Sequence, residues 1–423
     1  MHTEILQEAT PLRLQQAAAF NHRELFGVES ISLGGAVYTS GGLVWTLAGK
    51  RAGSMVSFPE LTAENADEHL DRLIASYLHQ PPRDAGCWSL DPPQPEDLGV
   101  RLLARGFHPG WRPYWMALDL QQLSAGAGLP NGLNIRSDNQ FPLHDIKDLP
   151  YAQVVIPQFP STDDNGRWAR FVAFLHGKPV AHCVVFLTNG PLGAAGIYHV
   201  GVVPQARHKG IGQAVTRAAC QYARERGYRF AVLNSTDAGR RCYERLGFSR
   251  VGEGFTWWLV IDRLLRHPPT PLQIRLAEAI GRGDAAALAS LSTECRPATF
   301  QMPLTNGMTF MQLAVHFRQP VSGEWLFESG APFTVLDAWD LGWKDRARQQ
   351  LYKDPENVNQ LYGEMNRTLL HIAAERNDEE LCRLALSVRP RLSLKDSVYQ
   401  STALGWARFF GHETIIRLLE GRS

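Results

Sequence analysis

The run His199-Val200-Gly201-Val202-Val203-Pro204-Gln205-Ala206-Arg207-His208-Lys209-Gly210-Ile211-Gly212-Gln213 constrains this chain more than any other stretch. A β-branched strand stops at a proline, a short basic loop follows with glycines two apart, and an alanine-rich helical pattern begins. Strand, backbone-exposing loop and helix N-terminus together form an anion cradle. Loop amides and the positive end of the helix dipole converge on one point there. Glycines without a Cβ let the backbone approach the anion closely, and Arg207, His208 and Lys209 add charge at the same place.

Composition limits the partners. The 423 residues exceed one ordinary core and suggest about three units. Lys+Arg 43 against Asp+Glu 42 leaves no basic surplus, so a dedicated nucleic-acid binder is not expected. The cysteines Cys87, Cys183, Cys220, Cys242, Cys295 and Cys382 are scattered, without metal-ligand spacing, which points to free thiols and no metal. The N-terminus shows no export-type apolar segment and no apolar run is long enough to span a bilayer, so the expectation is a cytoplasmic protein without membrane contact.

Three units follow along the chain: 1–125, 133–262 and 270–423. In the first, amphipathic spacing over Pro11 to Glu29 precedes a Gly-rich, β-branched region containing the strand Leu43 to Leu47. A helix is expected over Glu64 to His79, a short one over Leu98 to Arg105, and a strand from Tyr114 to Leu120. In the second, Leu143 to Val155 reads as helical. Trp168 to Leu175 and Val180 to Leu187 read as a hairpin turned by Gly177-Lys178-Pro179. Ala194 to Val203, Phe230 to Leu233 and Phe255 to Ile261 are further strands, with helices over Ile211 to Arg226 and Ala238 to Leu246. Alternating strands and helices around a mixed sheet make this an α/β arrangement.

Beyond Pro268-Pro269 the texture is repetitive. Thr368-Leu369-Leu370-His371-Ile372-Ala373 recurs as Thr402-Ala403-Leu404-Gly405-Trp406-Ala407, and the same offset carried backward reaches Thr334-Val335-Leu336. Thr309 to Ala314 and Ile274 to Leu291 are looser copies. Repetition at this period means stacked helix pairs, none able to bury its apolar face alone. The segment resembles an ankyrin-repeat solenoid of four or five units, all-α, with the weakest match where Trp339 replaces a small alanine.

Arg207-x-x-Gly210-x-Gly212 after a strand and Pro204, followed beyond the next helix and strand by Tyr243-Glu244-Arg245-Leu246-Gly247-Phe248, resembles the GNAT acetyltransferase superfamily over residues 133 to 262. The resemblance implies that the cradle takes the pyrophosphate of acetyl-CoA, through Arg207, His208, Lys209, Gly210, Ile211, Gly212 and Gln213. It implies that Val200, Gly201 and Val202 pair with the pantetheine arm, and that Asn234 contacts it or orders water. Tyr243 takes the place of the family's general acid. The base is open: the family's usual face aligns with Gly196 and Tyr198, and Tyr198, His199 and His182 are the candidates. His199 points the other way by strand alternation unless a bulge intervenes.

The first unit repeats part of this order: Leu102-Leu103-Ala104-Arg105-Gly106-Phe107 parallels Tyr243 to Phe248, with Leu102 at the tyrosine's position and no Arg-x-x-Gly-x-Gly loop. It resembles a degenerate copy, so the expected fold is two GNAT-like mixed α/β domains followed by the solenoid. Phe107, Trp111, Tyr114 and Trp115 are core or acceptor-pocket candidates. The leading expectation is transfer of acetyl to a primary amine of a small molecule, such as an antibiotic or metabolite. The alternatives are a protein or peptide acetyltransferase whose repeats recruit the target, and a CoA-binding sensor without turnover.

Overall fold

The computed structural model describes residues 4–124, 128–154 and 167–421, in two compact units, Met1–Pro269 and Thr270–Ser423. The first unit opens with α1, Pro11–Ser32, capped by the Thr10 hydroxyl on the Arg13 amide and started by proline at its first position. Then come β1 Ala36–Ser40, β2 Leu43–Leu47, β3 Ser54–Ser57, α2 Ala66–His79, β4 Ala85–Leu90, α3 Leu98–Ala104, β5 Phe107–Pro109 and β6 Tyr114–Asp119. The second half of the unit repeats the order with β7 Leu133–Ser137, β8 Trp168–Leu175, β9 Lys178–Leu187, β10 Ala195–Val202, α4 Ile211–Glu225, β11 Phe230–Ser235, α5 Asp237–Glu244, β12 Ser249–Leu259 and α6 Ile261–Arg266.

These strands form one path, β1-β2-β3-β4-β12-β6-β11-β10-β9-β8-β7, with β5 also on β12. The halves exchange their last strands. β6, from the first half, pairs along β11 of the second, Phe230 opposite Asp119 through Ser235 opposite Tyr114. β12, from the second half, runs past β6 and then pairs with β4 and β5. The boundary read near residues 125–133 therefore follows a strand, β6, that lies in the other half's sheet, while β7 after it pairs with β8 of its own half. Arg229 closes the exchange with two bonds to Asp119, 2.8 and 2.6 Å.

Several expected elements differ in detail. The hairpin between β8 and β9 turns on His176 and Gly177, both at positive φ, one residue earlier than the Gly-Lys-Pro signal. Between 138 and 154, where the spacing predicts a helix over Leu143 to Val155, the described residues form turns. Pro142 and Pro150 each lack an amide donor, and Asp148 and Tyr151 sit at positive φ. Residue 155 lies outside the described residues. Phe107 and Trp115 are core, Trp115 being almost wholly buried.

The second unit contains, among the described residues, five helix pairs. They are α7 Pro271–Arg282 with α8 Ala285–Leu291, α9 Phe310–His316 with α10 Pro320–Glu328, α11 Val335–Asp340 with α12 Lys344–Lys353, α13 Leu369–Arg376 with α14 Glu379–Leu386, and α15 Ala403–Phe410 with α16 Glu413–Glu420. The recurring threonine is the reason each pair starts where it does. Thr270, Thr309, Thr334 and Thr402 accept the amide three residues on, and Thr368 is tied to His371. Side chains lock consecutive pairs together: Ser322 to the Ile280 carbonyl, Trp339 to Asp378, and the His412 ring to the Ala374 carbonyl. Trp339, odd by sequence, thus supplies an indole bond to the next pair.

Candidate acyl-donor site

Two pairs of neighbouring strands run parallel, one in each half. In the first half, β3 and β4 stay paired along their length, Ser54 with Ala85 through Ser57 with Trp88. In the second, β10 and β11 pair only at Ala195 with Ala231 and Gly196 with Val232. Beyond Gly196 the strands diverge and leave a notch with backbone edges on both sides. Val200, Gly201 and Val202 lie on the β10 side, and Asn234 lies on β11 with no hydrogen bond from its side-chain amide among the described residues.

The basic loop closes the notch at its mouth. After β10, a short 3-10 turn over Pro204–Ala206 leads to Arg207, whose Nε donates to the Val202 carbonyl. His208 and Gly210 both sit at positive φ, 62° and 76°. Gly210 caps α4 without a side-chain acceptor, and the next backbone bond is Ala214 to the Gly210 carbonyl. The first-turn amides of α4 thus point outward without a protein acceptor, beside three exposed basic side chains. Gly210 is needed for its left-handed conformation. Gly212 is not: a Cβ there would make ordinary contacts with Val202 and Cys242. The Gln213 side chain spans to the Cys242 carbonyl and holds α4 against α5.

Tyr243 is carried by α5, whose cap is Thr236 and not Asp237: the Thr236 hydroxyl accepts the Gly239 amide. The Tyr243 ring packs on Phe248 of the Gly-Phe pair, 6.0 Å between centroids. Burial pushes its hydroxyl far above the ordinary phenol range, with Cys183, Cys242 and Tyr151 adding to the rise. No described residue bonds that hydroxyl, so it stands protonated and unengaged at neutral pH.

The three base candidates part company. Tyr198 is buried and donates to Asn21 Oδ1 at 2.7 Å. Asn21 is part of α1, and its Nδ2 reaches the Phe186 and Ala194 carbonyls and Thr188 Oγ1. Tyr198 is therefore committed to docking α1. Gly196 serves the same contact, because a Cβ there would collide with Asn21 Oδ1. His182 is fully buried, and its Nε2 lies 2.8 Å from the Pro150 carbonyl. A carbonyl only accepts, so Nε2 carries the proton, and the lone pair on Nδ1 is enclosed without a partner. Burial lowers its pKa to about 4. Neither group is free to take a proton from a substrate.

His199 is the one candidate that is partly exposed. Register on β9 skips between Tyr198 and Gly201, and His199 sits at φ 52° in the bulge. The bulge turns its ring toward Tyr151, 5.6 Å away, and toward Glu29 of α1, 3.9 Å from Nε2 to Oε1. Tyr151 lies in the segment whose spacing predicts a helix. Glu29, far upstream on α1, has no local signal at all.

With the geometry in view, the class is a mixed α/β sheet whose parallel strands β10 and β11 part beside a basic, glycine-capped helix start. Residues 134–248 match the acetyltransferase (GNAT) family model, and this segment is a GNAT acetyltransferase domain. A 71-residue stretch, 16% of this chain, is 31% identical to human N-acetyltransferase 8B, and the chain spans about a third of that relative's length, 31%. Among solved structures, a GCN5-related N-acetyltransferase from Kribbella flavida is 19% identical, over 57% of this chain and 95% of its own, at a TM-score of 0.46. A tandem GNAT protein from the clavulanic acid biosynthesis pathway is 15% identical, over 58% and 95%, at 0.39. Likenesses this slight carry no weight on activity. No helix among the described residues is long and apolar enough to cross a membrane.

Proposed function

We propose that this chain is an acetyl-CoA-dependent N-acetyltransferase acting on the primary amine of a small molecule. The observation that carries the reading is the divergence of β10 from β11 after Gly196, with outward amides and basic charge at its mouth and a protonated tyrosine inside. Bound there, acetyl-CoA supplies an electrophilic acetyl carbon on a thiol leaving group. Arg207, Lys209 and the first-turn amides of α4 receive its pyrophosphate, and the open β10 edge at Val200 to Val202 pairs with its amide-bearing arm. Tyr243 holds the proton that a departing thiolate needs. The test is thiol release from acetyl-CoA with a panel of primary amines, followed by mass identification of the product. Release that depends on the amine supports the reading; binding without turnover of any amine overturns it in favour of a sensor.

A second reading is favoured by the stacked, threonine-capped pairs of the second unit, which we take as an ankyrin array. Its last pair exposes Phe409 and Phe410, and the turn before it Tyr399, with Phe409 83% exposed, and exposed aromatic clusters are typical of partner surfaces. Recruitment of a protein substrate would make activity on small amines indifferent to removal of residues 270–423 while activity on the protein target fell.

A further inference from the structure

The second half lacks a carboxylate on the β10 face where acyl transfer to an ammonium needs a proton acceptor. Gly196 and Tyr198 fill that face, and both are spent on Asn21. The helix that Asn21 anchors carries its own carboxylate two turns further on. Glu29 is a third exposed, and its Oε1 lies 3.9 Å from His199 Nε2. That nitrogen is shut off from solvent and makes no hydrogen bond. A buried, unpartnered ring nitrogen aimed at a carboxylate just beyond bonding distance is a pair that tightens when the ring becomes charged. The left-handed backbone at His199 is the cost of this aim, and such strain in a non-glycine residue marks positions where side-chain direction matters.

We propose that Glu29, from the first half of the chain, is a positioning residue for His199, and that the pair accepts the acceptor ammonium's proton. This rests on the transferase reading above. His199 Nδ1, which has no protein partner among the described residues, takes one proton from the ammonium nitrogen and passes it to solvent. The freed lone pair bonds to the acetyl carbon, and the carbon–sulfur bond breaks with its electrons on sulfur. Sulfur takes the Tyr243 proton, and the second proton lost by nitrogen restores it. One proton leaves overall. Glu29 holds the ring by Nε2 in the manner of a carboxylate behind a catalytic histidine. The other groups facing His199 are His22 on α1, His182 on β9, Tyr151 on the preceding segment and its neighbour Tyr198, whose hydroxyl donates to Asn21. His22 and His182 are held neutral by burial, so Glu29 is the countercharge. The degenerate first half thereby contributes chemistry as well as packing.

The experiment compares wild type with Glu29→Gln and Glu29→Asp in the full chain, each checked by circular dichroism. Turnover of an amine found active is measured against pH, and acetyl-CoA affinity is measured separately. Glu29→Gln is expected to lower kcat about tenfold or more and to move the acid limb of kcat/KM toward lower pH. Acetyl-CoA affinity stays unchanged and Glu29→Asp recovers part of the rate. An unmoved acid limb overturns the proposal. A second readout needs no activity: the His199 ring signal in histidine-labelled protein, identified by its loss in His199→Gln, titrates at lower pH in Glu29→Gln. If no amine turns over, the transferase reading falls. An unmoved ring titration overturns the pair itself.

Discussion

Tyr243 and His22 show how much of this molecule rests on single side chains. Replacing Tyr243 with phenylalanine removes only the hydroxyl that nothing else among the described residues engages. Turnover is expected to fall roughly 10- to 1000-fold, with acetyl-CoA affinity nearly unchanged; an unaltered kcat would remove the tyrosine from the chemistry. His22 sits among Phe26, Phe58, Trp88, Trp115 and Tyr198, with ring centroids 4.3 to 6.0 Å away. Burial, and then the neighbouring His199, lower its pKa to about 3. His22 and His182 are both depressed in the folded state, so their stability is present above the unfolded value and is lost as pH falls. Between about pH 6.5 and 4 the unfolded chain takes up protons that the native chain refuses, at about 1.4 kcal/mol per unit for each histidine. Urea unfolding across that window should show the loss, and His22→Phe should flatten it. The basic loop and Tyr243 were legible in the sequence because strand, proline, glycine spacing and Gly-Phe pair are all local signals. Glu29 was not, because its place beside His199 depends on a bulge and on where a distant helix docks.

At the scale of elements, α1 decides what the notch can be. It lies against the second half through Asn21, and through Leu25 and Val28 packed on Trp168, Val184, Phe186 and Tyr198. Gly196→Ala should force Asn21 out of its bonds and destabilise the first unit by about 1–3 kcal/mol, read as a lower urea midpoint. An unchanged midpoint would mean that α1 is not held there. The helix in the first half that corresponds to α4 is α2, and it opens differently. Asp67 and Glu68 occupy its first turn, and Asp67 binds the buried Arg101 and Arg105 at 2.7 and 3.0 Å. Acidic side chains at that terminus repel a pyrophosphate. Arg105→Ala removes a fully buried side chain and leaves Asp71 without its partner, while Asp67 keeps Arg101; it should cost on the order of 2 kcal/mol, again read from the urea midpoint. Element type was readable from periodicity and from the proline breaks. The failure at 143–154 came from apolar residues at helical spacing, interrupted by prolines that the turns absorb. Exchange of β6 and β12 was invisible, since either strand carries the same alternation whichever half it joins.

At the scale of the whole first unit, the two halves of the sheet are built differently at the corresponding places. The parallel strands of the first half never part, its helix terminus is acidic, and Leu102 stands where the tyrosine would be. Its contribution is α1 and a strand that completes its neighbour's sheet. Calorimetric titration of the full chain with acetyl-CoA tests this most directly. One molecule is expected to bind per chain, and binding is expected to be lost in Gly212→Glu, where a carboxylate enters the first turn of α4. Two molecules per chain, or binding that survives Gly212→Glu, would contradict it.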